Sequence, residues 1–156
     1  MDDNTRRAAQ EYLATKISEE RQLEENKLNA AAAAALAPAV WKKFADTVTA
    51  KCEQWNGVTG EKTLTCKETW TGDLRVLCAG RPHQMTVHYD SRKLQIMIRN
   101  TARAEHEKDI ILHIQGYATE SGRDAHLVRN DELVNPDMLI VWQLRVLSGI
   151  GAQTGS

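Results

Sequence analysis

Cys78, His83 and His88 recur at intervals of five residues. Thiolate and imidazole are the donors zinc prefers, but structural zinc sites bring paired ligands at short spacing. Side chains alternate faces along a strand, so an odd separation sends His83 and His88 to opposite sides of a sheet. The spacing therefore argues against metal. His88 and Asp90 share a face two residues apart. A carboxylate there can orient an imidazole and raise its pKa, yet the sequence places no nucleophile or second acid beside them. The pair reads as a polar face near a turn. His106, His113 and His126 are isolated, and His113 stands inside an apolar run. If the chain holds a polar-lined pocket between sheet and helices, His83, Tyr89 and His113 are its candidate residues. No residue is assigned a catalytic, cofactor-binding or metal-ligating role.

The recognised phosphate and nucleophile motifs are missing as well. Gly149-Ile150-Gly151-Ala152-Gln153-Thr154-Gly155 has the glycines of a dinucleotide loop at the wrong spacing. It also follows a helix, whereas such a loop must leave a strand and open a helix. Cys52, Cys66 and Cys78 are odd in number and widely spaced, which argues against a disulfide framework and for a reducing compartment. Arg75, Arg81, Arg92, Lys93, Arg99 and Arg103 tilt the middle of the chain towards positive charge, and Arg75 and Arg99 can share an exposed sheet face. Nucleic-acid sheets also need exposed aromatics for stacking. Tyr89 and Trp70 fall on the side expected to be buried, so nucleic acid is disfavoured.

The elements that must carry these residues change period near Gly57. Residues 4–37 are strong helix formers with Asn4 as a cap, and their apolar positions Tyr12, Leu13, Ile17, Leu23 and Leu28 make no sustained heptad. The alanine run Ala30–Ala35 suits a helical spacer or a close helix–helix contact. Pro38 is expected to end or kink this helix. Over residues 39–56, Trp41, Phe44, Val48, Cys52 and Trp55 fall on one helical face, with Asn56-Gly57 as the stop. Short alternating runs follow. Leu64–Trp70, Leu74–Ala79, His83–Tyr89 and Lys93–Arg99 are joined by brief turns, which select antiparallel neighbours. Residues 100–108 read as a loop or short helical turn. Ile110–Tyr117 reads as a fifth strand, central or buried on both faces, and Ala125–Arg129 as a short sixth. Asn135-Pro136 caps a closing helix to about Leu147. Ile140, Val141, Leu144 and Leu147 make its core face, leaving Met138, Leu139, Trp142 and Val146 outside.

The fold expected is α+β: an antiparallel meander of five to six strands, covered by an amphipathic helix before it and an apolar helix after it, with a projecting N-terminal helix. The domain organisation expected is a solvated helical arm over 1–37, a compact body over 38–151 and a frayed tail over 152–156. A chain of 156 residues fits one domain. With a net charge of −1 it has no excess of either sign to steer nucleic acid or membrane over long range. The apolar run Ala30–Trp41 would span about 18 Å as a helix against a hydrocarbon core of about 30 Å. Arg6-Arg7 is followed by Ala8-Ala9-Gln10-Glu11 rather than an apolar stretch, so no secretory leader is read and a cytoplasmic location is expected.

Function is read from a mismatch. The arm has too little apolar surface to be stable alone, and the closing helix has more than one core can cover. The expectation is a non-enzymatic adaptor that binds a protein partner or itself through Leu13, Ile17, Met138 and Trp142, with no membrane contact and no cofactor. The alternatives are a small-molecule binder or enzyme using the space between sheet and helices, and a weak nucleic-acid binder using the Arg-bearing sheet face.

Overall fold

The computed structural model describes residues 2–104 and 108–150. His106, part of the segment expected to loop over 100–108, and the tail expected at 152–156 lie outside the described residues. One helix, α1 (Asp3–Thr59), is followed by β1 (Leu64–Glu68), β2 (Leu74–Cys78), β3 (Gln84–Asp90), β4 (Gln95–Asn100), β5 (Ile110–Thr119), β6 (Gly122–Arg129), β7 (Glu132–Leu133) and α2 (Pro136–Leu147). The strands form a single antiparallel sheet in chain order. This is the α+β meander expected, with seven strands rather than five or six. The seventh is added by Asn130 and Asp131, whose φ values of 51° and 64° make a two-residue turn that matches strand twist.

Pro38 neither ends nor breaks α1. Its ring removes one backbone donor, a local loss of roughly 3 kcal/mol in a helix interior. Packing on both sides of Pro38 outweighs it: Ala33 and Ala37 are buried before the proline, and Phe44, Val48 and Cys52 after it. The helix ends were also misplaced from sequence. Asp2, not Asn4, caps the start by accepting the Thr5 N–H at 2.6 Å. Gly60, at φ 72°, ends the helix beyond Asn56-Gly57.

α1 starts to touch the sheet well before residue 38. The Arg123 guanidinium donates to both Glu25 oxygens at 2.9 Å and also bonds Asn29. Gly116 on β5 lies under this stretch of helix, where an added Cβ would sit 2.2 Å from the Asn29 carbonyl oxygen. The alanine run is therefore neither a spacer nor a helix–helix contact. It is where a helix of small side chains lies close on β5 and β6.

The core lies between α1, α2 and the inner sheet face, which carries Leu64, Val76, Met85, Val87, Ile96, Ile98, Ile110, Leu112 and Ile114. Trp41 stacks on Tyr89 at 5.6 Å between ring centres. On α2 the buried positions are Ile140, Gln143, Leu144 and Leu147, so Gln143 takes the place expected for Val141. A polar contact selects it: the buried Asn100 amide donates to the Gln143 backbone oxygen at 3.0 Å and to its Oε1 at 3.3 Å. β5 is interior in strand order but buried on one face only, with Ile111 exposed outward.

Candidate functional site

The four expected interface residues lie on two separate surfaces. Leu13 and Ile17, 56% and 48% exposed, stand on the first part of α1, where residues 2–24 are exposed throughout. This stretch stays helical because it extends a helix already fixed by the sheet, so the unfavourable nucleation step has been made elsewhere. Met138 and Trp142, 71% and 44% exposed, stand on the outer side of α2. Asn135 caps that helix by accepting the Met138 N–H, and the Lys51 ammonium reaches Asp137 at 3.3 Å, which ties α2 to the far end of α1. Between them Trp55, Val58, Val141 and Leu144 line an open groove of about 410 Å³. The Arg145 guanidinium lies over the Trp142 ring at 5.8 Å, an arrangement that favours the cation over the ring's negative face. Ile17 and Trp55 are separated by 38 residues of continuous helix, about 57 Å along its axis.

The three expected pocket residues are not gathered into one site. Tyr89 packs against the core through Trp41. His83 precedes β3 rather than joining it, and its Nδ1 lies 3.4 Å from the Thr101 hydroxyl. His113 is on the outward register of β5, 3.3 Å from the Gln95 amide. It borders a shallow groove of about 340 Å³ with Asn29, Lys93 and Gly116, and neither His83 nor Tyr89 lines that groove.

His88 pairs with Asp73, not Asp90. Its Nδ1 lies 2.6 Å from the Asp73 carboxylate. Asp90 instead accepts the Arg92 and Lys93 N–H groups, and these bonds, that of Lys93 foremost, hold its carboxyl below the usual range. Trp70 was expected on the buried side and is 97% exposed. β1 ends at Glu68, so the alternation stops before it. Trp70, Lys67, Arg75 and Thr86 line an open groove of about 640 Å³ on the outer sheet. Arg99 sits across β3 on the same rung, since Thr86 pairs with both Arg75 and Arg99. Its guanidinium is paired with Asp109 at 2.7 Å.

Sequence reasoning also missed the approach of Cys52 to Cys66. Both were read as members of an odd, widely spaced set that argues against a disulfide framework. The positions could have been linked by noting that Asn56 ends a helical stripe just before a strand, because an Asn there can satisfy strand backbone. Among the described residues no three His, Cys, Asp or Glu side chains gather where they could hold a metal ion, and no helix is long and apolar enough to cross a membrane. Nothing matches this chain among protein-family models, curated proteins or solved structures.

Proposed function

We propose that this chain is a non-enzymatic, self-associating adaptor whose arm pairs with the arm of a second copy, leaving the α2 surface for a different partner. One observation carries the reading: a helix anchored by a packed body extends into solvent with Leu13 and Ile17 exposed, and a second apolar surface lies at the other end of the same helix. A rigid rod with a sticky patch at each end joins two things at a set distance.

The size of the arm patch sets the strength. Burying Tyr12, Leu13 and Ile17 contributes roughly 1.5–3 kcal/mol per side chain, or roughly 9–18 kcal/mol over two symmetric arms. Association costs roughly 4–15 kcal/mol in lost freedom. At the midpoints of these ranges about 4 kcal/mol remains, so pairing is reversible with a Kd near millimolar, to be followed from micromolar to millimolar protein. Light scattering over that concentration range tests it. The full chain should move from monomer to dimer, and Leu13→Glu with Ile17→Glu should hold it at monomer. A full chain that stays monomeric at millimolar concentration removes the reading.

A second reading is favoured by Trp70, which supplies the exposed aromatic that a stacking platform needs, beside Lys67 and Arg75. Single-stranded oligonucleotide should then bind at low salt and weaken steeply as salt rises. The same weak signal before and after Trp70→Ala discards it.

A further inference from the structure

We infer that Cys66 and Cys52 form a thiol pair that reacts with low-molecular-weight disulfides and closes into a bridge between β1 and α1.

The placement follows from one clamp. Asn56 at the end of α1 accepts the Leu64 N–H through Oδ1 and donates through Nδ2 to the Leu64 carbonyl, both at 2.8 Å. This fixes the first residue of β1 one side chain away from the helix. The chain reverses direction between the two elements, so moving back along α1 corresponds to moving forward along β1. Four helical residues cover about 6 Å and two strand residues cover about 6.6 Å. Cys52 and Cys66 therefore stand opposite one another as directly as Asn56 and Leu64 do. Thr49, nearly one turn further back, confirms the register: its hydroxyl lies 3.8 Å from the Cys66 sulfur.

The two thiols are not equivalent. Cys52 is buried in the core. The neighbouring Cys66 thiol, then burial, push the Cys52 thiol well above its ordinary pKa, so Cys52 stays protonated. The neighbouring Cys52 thiol, aided by the Thr49 hydroxyl at 3.8 Å, favours the Cys66 thiolate against burial and the nearby Glu53 charge and lowers its pKa below the ordinary thiol range. Cys66 is only half-buried, on an edge strand. It is the sulfur that a small reagent can reach and the one that carries the nucleophile. Cys78 is buried, with its thiol directed 3.9 Å to the Ala79 carbonyl.

The reaction balances in two steps. The Cys66 thiolate attacks one sulfur of a small disulfide, forming a mixed disulfide and releasing one thiolate. The Cys52 sulfur then attacks Cys66, losing its proton and expelling the second small thiol. Two protein thiols are oxidised by two electrons to a Cys52–Cys66 disulfide, and the reagent is reduced to two thiols.

The test treats the full reduced chain with oxidised glutathione at neutral pH and follows intact mass and peptide maps. The expected product is two hydrogens lighter than the starting protein, with the Cys52 and Cys66 peptides joined. Cys52→Ser should stop at one glutathione on Cys66, and Cys66→Ser should lose the early reaction. Cys52→Ala serves if the serine variant does not fold. Wild type that accumulates the mixed disulfide without closing, a bridge that includes Cys78, or a Cys66→Ser chain that reacts as fast as wild type would each overturn the inference.

Discussion

Gly116→Ala is the sharpest probe of how α1 is seated. Gly116 faces the helix from β5, and its added Cβ would lie 2.2 Å from the Asn29 carbonyl oxygen, 3.0 Å from the Asn29 carbonyl carbon and 3.1 Å from the Ala32 Cβ. The nearest two atoms belong to helix backbone, which cannot rotate away as a side chain can. Either α1 lifts or β5 bends. Overpacking of this kind costs typically 1–3 kcal/mol, and a backbone obstacle places the effect near the upper end. In the absence of a clash the sign reverses, because replacing glycine restricts the unfolded chain and stabilises by about 0.4–1 kcal/mol. For a chain of this length 1 kcal/mol moves the melting temperature by roughly 2–4 °C. The clash thus predicts a fall of roughly 6–12 °C, and its absence a rise of a few degrees. Thermal unfolding followed by circular dichroism separates the two. A Gly116→Ala chain that melts at or above the parent temperature would refute the close approach, and with it the account of why the alanine run lies where it does.

Asn56→Ala should destabilise the chain by about 1–3 kcal/mol, because Leu64 loses partners for both its N–H and its carbonyl; urea unfolding measures it, and Asn56→Asp should recover part by keeping the acceptor. Pro38→Ala should raise stability by about 2 kcal/mol, the roughly 3 kcal/mol helix-interior cost of this exposed proline less the roughly 0.4–1 kcal/mol it contributes by restricting the unfolded chain; a lower melting temperature would count against the packing argument. Glu25 is held below its ordinary pKa, first by the hydrogen bond from Arg123. A depressed folded pKa contributes stability above the unfolded value near 4.5 and loses it as pH falls through the folded value. Arg123→Ala should therefore flatten stability against pH just below 4.5, whereas an unchanged acid limb would show that the pair does not hold the arm.

Much of the fold was legible because its signals are local. Brief turns separate the first four strands as expected, and Asn135-Pro136 opens α2 as expected. The Trp41–Trp55 stripe gave the covering helix. What failed was non-local. Proline's cost was read without the packing on either side of it. Gly116, Asn29 and Glu25 look like unrelated polar and small residues until β5 and β6 meet α1. Alternation was carried past the end of β1, which put Trp70 on the wrong side. The Asn130-Asp131 turn was legible and was passed over. His88 found Asp73 across the sheet instead of Asp90 along it, because register between strands is not written in either strand alone. Leu13, Ile17, Met138 and Trp142 are all exposed but stand on two separate surfaces, a separation that depends on how α1 and α2 pack and is not written in either helix alone.

The meander also dictates an order of events during folding. Each strand pairs with its immediate neighbour, so the hairpins close short loops and can form early. The Arg123–Glu25 contact joins residues 98 apart, and a loop of that length closes late. A ribosome delivers α1 first, but its seat on β5 and β6 does not exist until most of the chain has emerged. Until then nothing fixes this segment as a helix, Ala33, Ala37 and Phe44 are unprotected, and the emerging chain is exposed to misassociation.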